Sequence, residues 1–179
     1  MKLKLHIALA LVALLPAVAV AQGSAPNITV APVPTVVVTR GGHAQLALEL
    51  RVNRGFHVNS NRPYDELLMP TTLHLEAPDG VMITNVKYPE GQDLVLPFMG
   101  NQKLNVYSGA FVVTAEVRPS RTVAVGTQRV HGSVKFQACD DRQCFPPRTV
   151  PVEFDVKVVR PAPKHAGPHV TADSPHIHQ

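Results

Sequence analysis

The chain holds two cysteines, and both lie in one short segment, Phe136-Gln137-Ala138-Cys139-Asp140-Asp141-Arg142-Gln143-Cys144-Phe145-Pro146-Pro147. A thiol pair with four residues between its members can do three things. It can cycle between dithiol and disulfide with a partner's thiols, staple a hairpin, or supply two ligands to a metal ion. A staple of this kind is weak: closing so small a ring stabilises a fold by about 2 kcal/mol, against roughly 4.7 for a 100-residue loop. A disulfide at an exposed hairpin end is also open to attack by a partner thiolate. Zinc wants four ligands, and no second Cys or His cluster lies nearby in the folded part to complete the set. A cysteine hydrolase is weaker still, because no Cys–His signature is present. Asp140 and Asp141 disfavour a thiolate while Arg142 favours one, so no strongly lowered thiol pKa is expected. From the residues alone, exchange and a structural staple both stay open.

The elements that must hold this pair have a hydrophobic period of two. From His43 to Asn53, Ala44, Leu46, Leu48, Leu50 and Val52 share one face, while Gln45, Glu49, Arg51 and Asn53 take the other. That is the pattern of a half-buried strand. Further strands are predicted at Thr72–Ala77, Val81–Tyr88, Tyr107–Val117, Val130–Ala138 and Val150–Val158, with one helical turn at most, near Asp65–Met69. Turn signals such as Arg40-Gly41-Gly42, Asn53-Arg54-Gly55 and Pro78-Asp79-Gly80 separate them. The predicted architecture is an all-β sandwich in a single domain. In Val130–Ala138 the inward parity carries Val130, Val134, Phe136 and Ala138. Cys139 then falls with His131, Lys135 and Gln137 in the solvent-facing set, and the two thiols meet across the mouth of a hairpin.

Compartment follows from the N-terminus. Lys2 and Lys4 precede an apolar run, Ile7 to Val20, broken only by Pro16, and Ala19-Val20-Ala21 matches a small-x-small cleavage pattern. Residues 1–21 are therefore expected to be a secretory signal, with Gln22 the first mature residue. The run is short for a spanning helix, which needs roughly 20 residues. The mature protein is expected to be periplasmic or secreted and not membrane-embedded, in a compartment where disulfides persist. Residues 22–34, with Pro26, Pro32 and Pro34, read as an extended lead-in, 35–159 as the folded domain, and 160–179 as a disordered tail rich in Pro and His. The formal charge of +4 includes the two signal lysines. No run of Lys or Arg forms the patch that nucleic-acid binding needs. His165, His169, His176 and His178 read as polar filler in the tail, and no metal or other cofactor is expected. The run Leu94-Val95-Leu96-Pro97-Phe98-Met99 is too apolar for an ordinary exposed loop, and is either a core edge or a docking surface.

The stretch Val134-Lys135-Phe136-Gln137-Ala138-Cys139 … Cys144-Phe145-Pro146-Pro147-Arg148-Thr149-Val150-Pro151-Val152 resembles the N-terminal periplasmic domain of the DsbD thiol–disulfide reductases. The likeness extends more loosely over residues 35–159, including Gly55-Phe56-His57-Val58-Asn59 and Tyr88-Pro89 … Pro97-Phe98-Met99-Gly100. It implies an immunoglobulin-like sandwich that passes electrons to and from thioredoxin-fold partners through transient mixed disulfides. It also implies roles. Cys144 would form the mixed disulfide, Cys139 would resolve it, and Phe98 would cap the pair, with Met99 and His57 beside it. The spacing is one residue shorter than in the best-known members, and Leu96 and Pro97 stand where those carry acidic residues. The sequence shows neither a membrane electron channel nor a thioredoxin domain, so the resemblance points to a separate membrane protein as electron donor. The rival from another class is a non-catalytic binding or assembly module with a structural hairpin disulfide.

Overall fold

Alternating apolar residues bury one face of each strand, and the chain satisfies this by stacking sheets. A computed structural model describes residues 27–100 and 102–162. The expected signal, residues 22–26 of the lead-in and the tail histidines lie outside them. The strands are β1 (Ile28–Val30), β2 (Val36–Thr39), β3 (Ala44–Val52), β4 (His57–Asn59), β5 (Thr72–Glu76) and β6 (Val81–Lys87). They continue as β7 (Gln92–Val95), β8 (Lys103–Tyr107), β9 (Ala110–Pro119), β10 (Gly126–Phe136), β11 (Ala138–Cys139) and β12 (Arg148–Val159). One sheet has the order β1-β3-β9-β6 and a second β2-β12-β10-β5. Their inner faces form a single core of Leu46, Leu48 and Leu50, Val113 and Val117, Val130, Val134 and Phe136, and Val152, Phe154, Val156 and Val158. The fold is the immunoglobulin-like β-sandwich that the sequence predicts.

A third, smaller sheet, β11-β4-β8-β7, carries the cysteines. It is built from continuations of strands in both large sheets. β3 passes into β4 through Gly55, β8 into β9 through Gly109, and β10 into β11 through Gln137. Gly55 and Gly109 have φ of 80° and 62°, backbone that a residue with a Cβ adopts only under strain. The kinks move three strands off the sandwich into one patch at its end, so the patch inherits the rigidity of the core.

Several elements differ from the sequence reading. The predicted strand at Tyr107–Val117 is two strands, because Ser108-Gly109 turns the chain from the small sheet into a large one. Ile28, inside the expected lead-in, is buried and β1 pairs with β3, so ordered structure begins before residue 35. Three residues of strand were too short to announce themselves by period. β2 pairs with β12 in parallel, Val36 opposite Val156.

Candidate redox site

Two faces of the small sheet meet different surroundings, and this sets the site. Ala138, Val58 and Tyr107 point into the main core. Cys139, Leu104 and Val106 point the other way, into a second apolar cluster completed by Leu96 and packed by Leu68, Leu94, Met99 and Cys144. Cys139 is thus on the face that parity assigned, but that face is not solvent. The residue is 1% exposed, because the segments around Leu68 and Leu94–Met99 cover it. The expectation of a solvent-facing Cys139 is corrected: a period-two pattern distinguishes two faces and is blind to a second layer over the outer one.

The two cysteines are disulfide-bonded, with Cα atoms 3.9 Å apart. The backbone amide of Phe145 donates to the Ala138 carbonyl (2.8 Å) and that of Asp140 to the Gln143 carbonyl (2.9 Å). These bonds flank Cys139 and Cys144, which makes them a non-hydrogen-bonded antiparallel pair, the arrangement that brings side chains closest. Asp140 shapes the turn. Its carboxylate accepts the amides of Arg142 and Gln143, each at 2.8 Å, an Asx-type turn. Those two amides hold its carboxyl below the usual range, in that order of importance. Asp140 is therefore committed to the backbone and does not act mainly as a charge beside the thiols.

Gln137, which parity placed with the solvent-facing residues, organises the site. Its Oε1 accepts from Asn59 Nδ2 (3.3 Å) and from the Met69 amide (3.2 Å), and its Nε2 donates to the Phe145 carbonyl (3.3 Å). Asn59 Nδ2 also donates to the Met69 carbonyl at 3.0 Å. One amide side chain thereby ties β4, the covering loop and the return segment after Cys144 to the end of β10. Neither Gln137 nor Asn59 was singled out from the sequence. The available signal was their place inside the two stretches that carry the family resemblance, Phe136-Gln137-Ala138-Cys139 and Gly55-Phe56-His57-Val58-Asn59.

Cys144 is only partly buried, in contrast to Cys139. The disulfide is therefore open to solvent from the Cys144 side, while the Cys139 side is enclosed. His57 lies opposite Cys139 in the β4–β11 pairing and is 8% exposed. Burial lowers its pKa, against the opposing pull of Asp141 and then Asp140. Phe98 and Met99 lie in a short 3-10 turn, Pro97–Met99, ahead of Gly100. Met99 packs on the cluster that contains both cysteines, whereas Phe98 remains 39% exposed. Within the apolar run, Leu96 is core, as the core-edge reading expects, while Val95 and Phe98 are exposed. Beside the turn, Gln102 Nε2 donates to Asp65 Oδ2 (2.9 Å), which links the two covering segments. Among the described residues, no group of three or more His, Cys, Asp or Glu side chains is placed to hold a metal ion. No helix among them is long and apolar enough to cross a membrane.

A β-sandwich whose one disulfide sits on a covered outer sheet, Cys139 enclosed and Cys144 partly exposed, defines a class of small all-β domains that carry a hairpin disulfide at one end. The sequence agrees. Residues 28–155 match the family of the thiol:disulfide interchange protein DsbD, N-terminal, and the chain belongs to it. Among solved structures, the reduced DsbD N-terminal domain of Neisseria meningitidis is similar at 20% identity and a TM-score of 0.39, over 70% of this chain and 83% of that one. The N-terminal periplasmic domain of ScsB from Proteus mirabilis aligns at 13% identity and a TM-score of 0.43, over 76% of this chain and 47% of that one. A type I cohesin of ScaB from Pseudobacteroides cellulosolvens aligns at 12% identity and a TM-score of 0.44, over 84% and 98%. No curated protein sequence matches the chain.

Proposed function

We propose that this chain is an exported thiol–disulfide exchange domain, a protein-disulfide reductase component of the periplasm, that passes reducing equivalents between thioredoxin-fold partners. The observation that carries the reading is the unequal cover of the pair, with Cys139 enclosed and Cys144 approachable. In the reduced protein, Cys144 attacks a partner disulfide and forms the mixed disulfide; Cys139 then attacks Cys144 and releases the reduced partner. A donor, in this reading a membrane protein, restores the dithiol. No cofactor takes part, since the electrons reside in the sulfurs. The supporting energetics concern the reduced state. Opening so small a ring removes only about 2 kcal/mol of stabilisation, and the main core does not depend on it.

The test is the reduction potential of the Cys139–Cys144 pair, measured by equilibrating the protein with graded thiol buffers. We expect a value between about −180 and −270 mV, the range of protein exchangers, whereas one below about −300 mV belongs to a structural staple and would transfer the chain to the binding-module reading. Phe98 and Met99 form the cap in this scheme, limiting access of small oxidants to the reduced pair. Phe98→Ala and Met99→Ala should each speed oxidation of the dithiol by a small disulfide, followed by stopped flow. Rates equal to the unsubstituted protein in both variants would remove the cap from the mechanism.

A further inference from the structure

His57, Cys139 and Cys144 occupy one row across three adjacent segments. His57 is the registered partner of Cys139 on β4, and Cys144 is its bridge partner on the other side. Residues directly opposite in antiparallel strands project to the same face, with Cβ atoms about 4.5–5.5 Å apart. The imidazole and both sulfurs therefore share the covered face of the small sheet. A buried imidazole ordinarily spends its nitrogens on hydrogen bonds. Nε2 of His57 is buried and has no partner among the described residues. It is a buried polar atom without a partner, on the residue in register with Cys139.

We propose that His57 is the proton acceptor for Cys139 in the resolving step, an inference that rests on the exchange reading above. In the mixed disulfide, Cys139 is a thiol and Cys144 is bonded to the partner's sulfur. The Cys139 proton passes to Nε2 of His57 as Sγ of Cys139 attacks Sγ of Cys144. The Cys139–Cys144 bond forms, the bond from Cys144 to the partner breaks, and the partner leaves as a thiolate with the electron pair. Two electrons leave this chain's dithiol and the partner's disulfide is reduced. In the reverse direction the imidazolium returns its proton to Cys139 as that sulfur departs. Such a relay matters here because the second apolar cluster leaves a Cys139 thiolate without water to solvate it.

The surroundings suit a base of this kind. Burial favours the neutral imidazole, the form that accepts a proton. The charged groups acting on it are Asp141 and Asp140 in the turn after β11, and both favour the imidazolium once it forms. From β8, on the other side of β4, Tyr107 projects into the main core, its hydroxyl bound to Asn61 Oδ1 and the Pro89 carbonyl. Asp65, in the covering loop, is engaged by Gln102 and the Leu67 amide.

The reaction of the reduced protein with 5,5′-dithiobis(2-nitrobenzoate) separates the steps without a natural partner. Attack by Cys144 releases one thionitrobenzoate, and resolution by Cys139 releases the second. His57→Gln should slow the second release at least about a hundredfold at pH 7, the lower end of what general base catalysis supplies, and leave the first within twofold. In the unsubstituted protein the second rate should fall through an inflection below about pH 6.5, where an imidazole titrates, and His57→Gln should abolish that inflection. An unchanged second rate in His57→Gln, or equal slowing of both, overturns the proposal. Should His57→Gln not fold, the profile of the unsubstituted protein decides: a second rate that rises steadily to the thiol's own titration, with no lower inflection, also overturns it. These outcomes are independent of the reduction potential, so a fast pair indifferent to His57 removes the relay and leaves the exchange function standing.

Discussion

Cys139→Ser is expected to turn a transient encounter into a stable covalent complex. With the resolving sulfur gone, Cys144 retains its exposure and can still be joined to a partner's sulfur, but nothing within the chain can displace that partner. Incubated with a periplasmic extract and run without reductant, Cys139→Ser should yield a mixed disulfide with a thioredoxin-fold protein, and reductant should dissolve it. Cys144→Ser should yield little or none, because its remaining thiol lies under Leu68, Leu94, Leu96 and Met99. Exchange rates depend on access to the attacking thiol and on which sulfur is attacked, and the cover acts on both. Equal capture by the two variants would contradict the assigned roles. Capture by neither would leave the disulfide as a hairpin staple.

The largest loss of stability is expected from Phe136→Ala. Phe136 is fully buried as the last residue of β10, opposite Arg148 of β12, where the sandwich hands the chain to the small sheet. Truncating a buried Phe removes about 3–5 kcal/mol through lost transfer energy and the cavity left behind. Small domains hold only about 5–15 kcal/mol in all, so most of the margin could go. At roughly 3–5 °C per kcal/mol for a domain of this size, the midpoint should fall by about 10–20 °C. Lys135→Ala, one residue earlier on the exposed face, should stay within about 0.5 kcal/mol. Denaturant unfolding of the two variants checks both figures. A loss under about 1 kcal/mol for Phe136→Ala would mean that the sandwich end can collapse around the void. It would also weaken the view that the core positions Gln137 and the cysteines beyond it.

Long alternating strands could be read directly from residues. β3 and β12 bury every second side chain, and each alternation spans enough positions for period two to stand out. Short strands could not. β4 has three residues, all buried, since one face meets the main core and the other a second cover, so no alternation exists to read. β1, β7 and β11 are similarly too brief. The family resemblance assigned roles to the cysteines and drew attention to His57, but could not show that the histidine lies in register with Cys139. Gln137 shows the limit most clearly. Parity placed its side chain correctly outside the core, yet what waits there is Asn59, Met69 and Phe145, brought together from 78, 68 and 8 residues away.

By itself the sequence determined the all-β sandwich, the thiol pair and its hairpin, because these follow from local alternation, turn residues and the spacing of two cysteines. The burial of Cys139 beneath a second layer, with Cys144 left partly exposed, was decided only by the tertiary structure. So was the placement of His57, with its buried Nε2 unpartnered among the described residues, in register with Cys139. Both depend on a second layer, contributed by segments distant in sequence, that closes over the outer face of a sheet assembled from kinked strand ends. Local patterning specifies the faces of a strand; only the packed chain determines what each face meets.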